Sequence, residues 1–409
     1  MKQIDGGITA VPGLKATGVH AGLKPDNEKD VALIAADAPA VAAGVFTKNR
    51  VCAPVVLVCR ENLSDNTGQA IVINSKNANA CTGEVGMKNA RQMASLVGEA
   101  LGIDPSLVLV ASTGVIGQQL PMDKISNGIR LAAPALDPDG GHDAALAIMT
   151  TDTVPKEIAV EFEIGGKIAR IGGMTKGAGM IAPNLATMLA FLATDVNIAS
   201  EPLQQALRES AAKSFNRMTI DTDSSTNDTV LILATGTAGN AEITDTTNGD
   251  YEAFCEVLDS ACIELAKKIA RDGEGATKLV EVVVKGGKNE TEGEMAARSI
   301  AESPLVKTAV FGSDANWGRI MMAAGKSGAE FDPYQVDVWL GDYQLVKDGM
   351  DAGFDEDKAT ALFSKDTVTI TVDLNAGDAT VTMWTCDYSH DYISINADYR
   401  TAKQKKSET

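Results

Sequence analysis

No stretch of this chain approaches the run of about 20 apolar residues that a membrane-spanning helix needs. Its first residues, MKQIDGGITAVPG, lack the charged-then-apolar layout of a secretory leader. A soluble, cytoplasmic protein is therefore expected. Cysteine is sparse: Cys52, Cys59, Cys81, Cys255, Cys262 and Cys386 form no CxxC pair. That spacing argues against structural zinc and, in a chain of 409 residues, against a disulfide framework. Histidine is scarcer still. His20, His142 and His390 stand far apart without ligand spacing, so a Ser-His-Asp triad has little to be built from. The shortage favours a nucleophile that carries its own base. Only 13 prolines accompany 38 glycines in a chain that is 44% hydrophobic, which fits a compact globular protein and not a disordered or collagen-like one. Positive charge is also short. Thirty-six Lys and Arg against 55 Asp and Glu leave a net charge of −19, a poor surface for nucleic acid.

The chain shows no tandem repeat or low-complexity tract, and its length exceeds what one core usually serves, so two subdomains are expected. Ile158, Val160, Phe162 and Ile164 alternate as in a half-buried strand, and Gly165-Gly166 then makes a two-residue turn into a partner strand, Lys167–Ile171. A second hairpin is predicted from Val368–Leu374 to Ala379–Trp384. Apolar residues from Phe254 to Ile269 follow helical spacing, with Gly273 expected to take the left-handed position at the helix end. Cys255 and Cys262, seven apart on that helix, read as core packing. Ser200 is predicted to cap a helix with Leu203, Leu207 and Ala211 on its inner face. Strands at Val108–Ala111 and Val230–Ala234 complete a mixed α/β pattern.

The most informative tract is Pro183-Asn184-Leu185-Ala186-Thr187-Met188-Leu189, between a Gly-rich loop and an apolar run. Were the Ala186–Thr187 bond cut, Thr187 would hold a hydroxyl and a free α-amine on one residue. Such an amine has a pKa of about 7.7–8.0 and accepts the hydroxyl proton near neutral pH. A threonine served by its own amine is an established way to activate a weak oxygen nucleophile. Cleavage itself would follow from attack of the Thr187 hydroxyl on the Ala186 carbonyl, giving an ester that water opens. Upstream, the KGAG of Lys176–Gly179 lacks the Lys-Ser/Thr ending of a phosphate loop, so nucleotide binding is unsupported.

The segment GGMTKGAGMIAPNLATMLAFLATD, residues 172–195, resembles the processing site of the ornithine acetyltransferase family, the glutamate N-acetyltransferases of arginine biosynthesis. The resemblance runs on through GGITAVPGLKATGVHAGLK (6–24), NSKNANACTG (74–83), STGVIG (112–117) and TTDTVPK (150–156). It continues in SFNRMTIDTDSSTND (214–228), ARDGEGATK (270–278), FGSDANWGRI (311–320) and INADYRT (395–401). Two details depart from it: Asp221-Thr222-Asp223 lacks the glycine often found between the acids, and residues 402–409 extend past the usual end.

The resemblance implies a layered α/β/β/α core shared with related aminopeptidases, plus a smaller C-terminal α/β part. It implies self-cleavage into an α chain of residues 1–186 and a β chain of residues 187–409, assembled as two of each. Thr187 becomes the nucleophile, and Thr113 and Gly114 become the oxyanion hole. Thr150, Lys176, Thr187, Glu274, Asn396 and Thr401 become substrate contacts, with Thr151 the adjacent alternative to Thr150. The reaction implied moves acetyl from N2-acetyl-L-ornithine to L-glutamate through an acetyl-Thr187 ester, with no metal or organic cofactor. Some members also use acetyl-CoA as donor. An amidase or aminopeptidase with the same nucleophile, or an uncleaved amino-acid-binding protein, are the rival readings.

Overall fold

Alternating side chains from Lys156 to Ile164 form one strand in the computed structural model, which describes residues 1–182 and 188–398. Glu157, Glu161 and Glu163 turn towards solvent while Ile158, Val160, Phe162 and Ile164 are buried. Gly165 and Gly166 take φ of 54° and 70°, the left-handed pair that a two-residue hairpin turn requires. The return strand runs to Lys176, five residues further than expected, and stops where the Gly-rich loop begins.

The described residues divide into two compact units, Met1–Asn216 with Asp223–Leu265, and Arg217–Thr222 with Ala266–Thr409. The first unit holds β1 (Lys2–Gln3), β2 (Leu14–Val19), β3 (Val31–Phe46), β4 (Thr67–Asn74), β5 (Val108–Ser112), β6 (Lys156–Ile164), β7 (Lys167–Lys176), β8 (Leu189–Thr194) and β9 (Thr229–Ala234). Their order is β1-β6-β7-β8-β9-β3-β4-β5, with β2 also on β3. The sixteen residues of β3 serve two layers. Val31–Ala35 pair with β4, Val41–Phe46 pair with β9, and the register with β4 shifts between Ala35 and Ala40.

The sheet folds over at that point, and its inner faces meet. Ile71, Ile73, Leu109 and Ala111 from β4 and β5 share one buried cluster with Leu189, Phe191, Leu231 and Leu233 from β8 and β9. The alternate residues of β4 and β5, among them Val72, Val108 and Val110, pack outward against helices Pro54–Asn62, Gly83–Leu101 and Met122–Ala132. On the opposite side helix Ser200–Lys213 lies on β3, tied to Gly44 through Gln204. The first unit is thus helix, sheet, sheet, helix. Burying each of these aliphatic and aromatic side chains contributes about 1.5–3 kcal/mol. A one-residue slip would turn every one of them to the wrong layer, so the register is held firmly.

Ser200 is the first residue of its helix and makes no side-chain cap; Ala199 occupies the capping position. Its inner face is as expected, with Leu203, Leu207 and Ala211 buried. The long helix spans Gly249–Arg271 and buries Cys262, with Cys255 half-buried.

In the second unit β10 (Leu279–Gly287), β11 (Asp337–Leu340), β12 (Tyr343–Lys347), β13 (Met350–Asp351), β14 (Thr367–Asp373) and β15 (Ala379–Cys386) form a sheet ordered β13-β12-β11-β14-β10-β15. The predicted second hairpin does not form. Its two strands exist, but β10 lies between them, parallel to β14 and antiparallel to β15. Val280, Val282 and Val284, on one face of β10, are buried in the core of this unit, and both edges of the strand are taken up by ladder hydrogen bonds. Asn375–Asp378 therefore bridge roughly twice the usual 4.8 Å strand spacing, bonding across the end of β10 through Leu374 to Lys285 and Ala376 to Gly286. Gly273 is likewise not left-handed; the positive φ, 71°, belongs to Gly275. Gly273 is instead where Cys386 and Ile220 crowd the backbone.

Among the described residues no helix is long and apolar enough to cross a membrane.

Candidate active site

Strand β5 delivers Ser112 and Thr113 to the end of the inner sheet, and Asn74 at the end of β4 fixes them there. The Ser112 hydroxyl donates to Asn74 Oδ1 at 2.6 Å, and the Thr113 N–H donates to the Asn74 carbonyl at 3.0 Å. Asn74 in turn donates from Nδ2 to the Asn77 carbonyl at 2.9 Å. The Thr113 N–H is thereby committed. Its hydroxyl, on a residue only 3% exposed, has no hydrogen-bond partner among the described residues and is the group left to donate. Gly114 follows with φ of 133°, and a Cβ there would lie 2.2 Å from the Lys76 carbonyl carbon. Only glycine lets the chain pass this close. Lys76 and Asn77 come from the NSKNANACTG tract, so that tract forms the floor of the turn.

A second constellation is built around Asp152. Its Oδ1 accepts from Lys156 Nζ at 2.7 Å and from the Gly177 N–H at 2.7 Å. Its Oδ2 accepts from the Thr150 N–H at 2.9 Å and faces Lys176 Nζ at 3.7 Å. Burial alone would raise the Asp152 pKa, but Lys176 and Lys156 outweigh it and hold the carboxyl well below the usual range. Lys176, 3% exposed, donates from Nζ to the Thr150 hydroxyl at 2.7 Å. Lys176 is the last residue of β7 and stands opposite Leu189 of β8, which follows Thr187 by two residues in sequence. Lys24 is a further buried cation near Asp152. Burial pushes its ammonium down to about 8, and Nζ donates to the carbonyls of Leu146 and Ala147 at 3.3 and 3.4 Å.

The second unit brings together the other predicted contacts. Asn396 donates from Nδ2 to Glu274 Oε2 at 2.8 Å, and Glu274 is 8% exposed. Tyr392, one turn earlier on the helix His390–Ala397, donates to Asp221 Oδ2 at 3.3 Å. Burial, then the Asp221 charge, push the Tyr392 phenol up. Glu274 and Asn396 thus form one polar cluster with Asp221 close by. Ala186, Thr187 and Thr401, with the 402–409 tail, lie outside the described residues.

Asn74, Asp152 and Lys156 were not singled out by sequence reasoning. Asp152 and Lys156 stand four apart within the quoted TTDTVPK tract, but nothing in that tract distinguishes a buried ion pair from a solvated one. Among the described residues no three His, Cys, Asp or Glu side chains converge as metal ligands would.

Residues 15–401 match the family model described as the ArgJ family. The chain is similar to an arginine biosynthesis bifunctional protein of Symbiobacterium thermophilum, 53% identical over 98% of this chain and 100% of that one. It is also similar to a protein of the same name from Geobacillus kaustophilus, 47% identical over 97% of both chains. Among solved structures, an ornithine acetyltransferase from Mycobacterium tuberculosis, complexed with ornithine, is 39% identical with a TM-score of 0.42. That match covers 44% of this chain and 97% of the solved one.

Proposed function

Because the chain belongs to the ArgJ family, an acyltransferase family of arginine biosynthesis, we propose that Thr187 carries acetyl from N2-acetyl-L-ornithine to L-glutamate. The chain first cuts itself between Ala186 and Thr187. The freed amine takes the Thr187 hydroxyl proton as the oxygen attacks the acetyl carbonyl. The Thr113 hydroxyl, with the Gly114 N–H, donates to the oxyanion. The amine then returns the proton to departing ornithine, and the α-amine of glutamate attacks the ester to leave as N-acetylglutamate. Thr150, Lys176, Glu274, Asn396 and Thr401 are the proposed substrate ligands.

The observation that carries this reading is Lys176. It is buried, bonded to Thr150, and stands opposite Leu189 at the start of β8. A cation there receives a substrate carboxylate and keeps a neighbouring N-terminal amine neutral by like-charge repulsion. The assay is N-acetylglutamate formation from acetyl-ornithine, with ornithine release followed in parallel. Ornithine released just as fast without glutamate would mean a hydrolase and overturn the transferase reading. Acetyl-CoA is proposed as a second donor and is tested by replacing acetyl-ornithine in the same assay.

Cleavage would leave β8 and β9 of the second chain paired between β7 and β3 of the first. Two edges of strand pairing plus the shared sheet-to-sheet core hold the pieces together. The cleaved protein is thus expected to run natively as one species with equal amounts of both chains, proposed as two of each. The fragments are expected to separate only in denaturant. Sedimentation of the native protein beside a denaturing gel checks this, and fragments that part without denaturant would contradict it.

A further inference from the structure

Asn227 and Asp228 are consecutive, 4% and 0% exposed, and have no part in the mechanism above. The Asn227 amide donates from Nδ2 to the Ser112 carbonyl at 2.9 Å and to the Ala78 carbonyl at 2.6 Å. Its Oδ1 accepts from the Thr226 hydroxyl at 2.6 Å, and its N–H donates to Ser225 Oγ at 3.0 Å. The next side chain turns to a different strand. Asp228 Oδ1 accepts the Met188 N–H at 3.1 Å, and the Thr229 N–H donates to the Met188 carbonyl at 3.3 Å.

These two strands belong to opposite layers. Ser112 ends β5 in one layer, directly before Thr113 and Gly114. Met188 leads into β8 in the other, and its nitrogen is the amide nitrogen that joins it to Thr187. One dipeptide therefore grips the peptide just before the proposed oxyanion donors and the peptide just after the proposed nucleophile. We propose that Asn227 and Asp228 are positioning residues of the acetyl-transfer site, a clamp that sets the spacing between Thr113–Gly114 and residue 187. The proposal rests on reading Thr187 as the nucleophile.

The chemistry of the clamp follows from its burial. Gripping an N–H needs an acceptor oxygen, which a neutral carboxyl supplies as well as a carboxylate. Burial pushes the Asp228 carboxyl well above its usual range, and the Met188 N–H, the nearby Ser225 and Thr47 hydroxyls and the Lys176 charge offset only part of that. Lys176 is the cation whose charge reaches it, and Cys52 is the other titratable neighbour. Asp228 Oδ2 is buried without a hydrogen-bond partner among the described residues, where a protonated oxygen is cheaper than a charged one. In its neutral form Asp228 resembles asparagine, and that resemblance makes the clamp testable.

Asp228→Asn keeps the acceptor and should split and turn over within about threefold of the parent. Asp228→Leu keeps the bulk and removes the acceptor. Misplacement by about 1 Å can cost about 100-fold, so this variant should lose splitting or, where split, about 100-fold in kcat with KM little changed. Asp228→Ser, which draws the acceptor back, gives the same test if the leucine variant does not fold. A split Asp228→Leu protein with parental kcat would overturn the clamp. So would an Asp228→Asn protein as inactive as the leucine variant. An unsplit parent would instead overturn the Thr187 reading, so the two failures are distinguishable. Melting temperature adds a readout apart from activity. An acid with a raised folded pKa contributes fully below its unfolded value, near 3.9, and loses that contribution as pH rises. The melting temperature of Asp228→Asn should therefore climb relative to the parent between pH 4 and pH 7, and a gap that does not widen would count against a neutral Asp228.

Discussion

Replacing Thr187 by alanine is expected to leave the protein as one full-length chain with no acetyl transfer, whereas the parent yields two chains, the second beginning at Thr187. The reason is that a single hydroxyl serves two reactions. It must add to the Ala186 carbonyl to convert amide to ester, and afterwards add to the acetyl carbonyl of the donor. Alanine keeps the backbone and small volume of the site but supplies no oxygen, so both steps stop together. Thr187→Ser retains the oxygen and should still split. The check is a denaturing gel with N-terminal sequencing of the smaller bands, followed by the transfer assay. Splitting of the alanine protein at this bond would rule out self-processing by Thr187.

The second large effect is expected at Thr113. Its N–H is held by the Asn74 carbonyl, so the hydroxyl is what Thr113 can offer to an oxyanion. Loss of one such donor typically costs about 2.7–4 kcal/mol of transition-state stabilisation, or roughly 100- to 1000-fold in kcat. Thr113→Ala should show that drop with little change in KM, because negative charge on the acetyl oxygen develops only in the transition state. Thr113→Ser should recover most of it. Cleavage must be scored first, since the same donors would serve the oxyanion formed at Ala186. A fully cleaved Thr113→Ala enzyme with parental kcat would remove Thr113 from the site.

The hairpin at Gly165-Gly166 was legible because its signals are local: strict alternation, then two residues free to take positive φ. The second hairpin misled for the complementary reason. Two alternating runs separated by Asn375-Ala376-Gly377-Asp378 look the same in sequence whether they pair with each other or straddle a third strand. That third strand, β10, lies some eighty residues earlier, so nothing local to the two runs reports that it lies between them. Ser200 and Gly273 were placed at the right helix ends but given the wrong parts there. Cap geometry depends on φ and on side-chain direction, which propensity does not fix.

The sequence by itself determined the family and the mixed α/β class, and it supplied the candidates for the site, because motifs and periodicities are short-range. Lys176, Thr150, Glu274 and Asn396 could all be named from their tracts. What only tertiary structure decided is how those residues are held. Asp152 between two lysines, Asn74 taking the Thr113 N–H, and Asn227 and Asp228 joining two layers all involve buried polar groups. In sequence a buried Asp or Asn looks like a solvated one, since both are polar residues between apolar runs. Away from water each must find partners, and these come from strands far apart in the chain. Those partners exist only once β3 has folded the sheet over and brought β5 and β8 to the same end of the core.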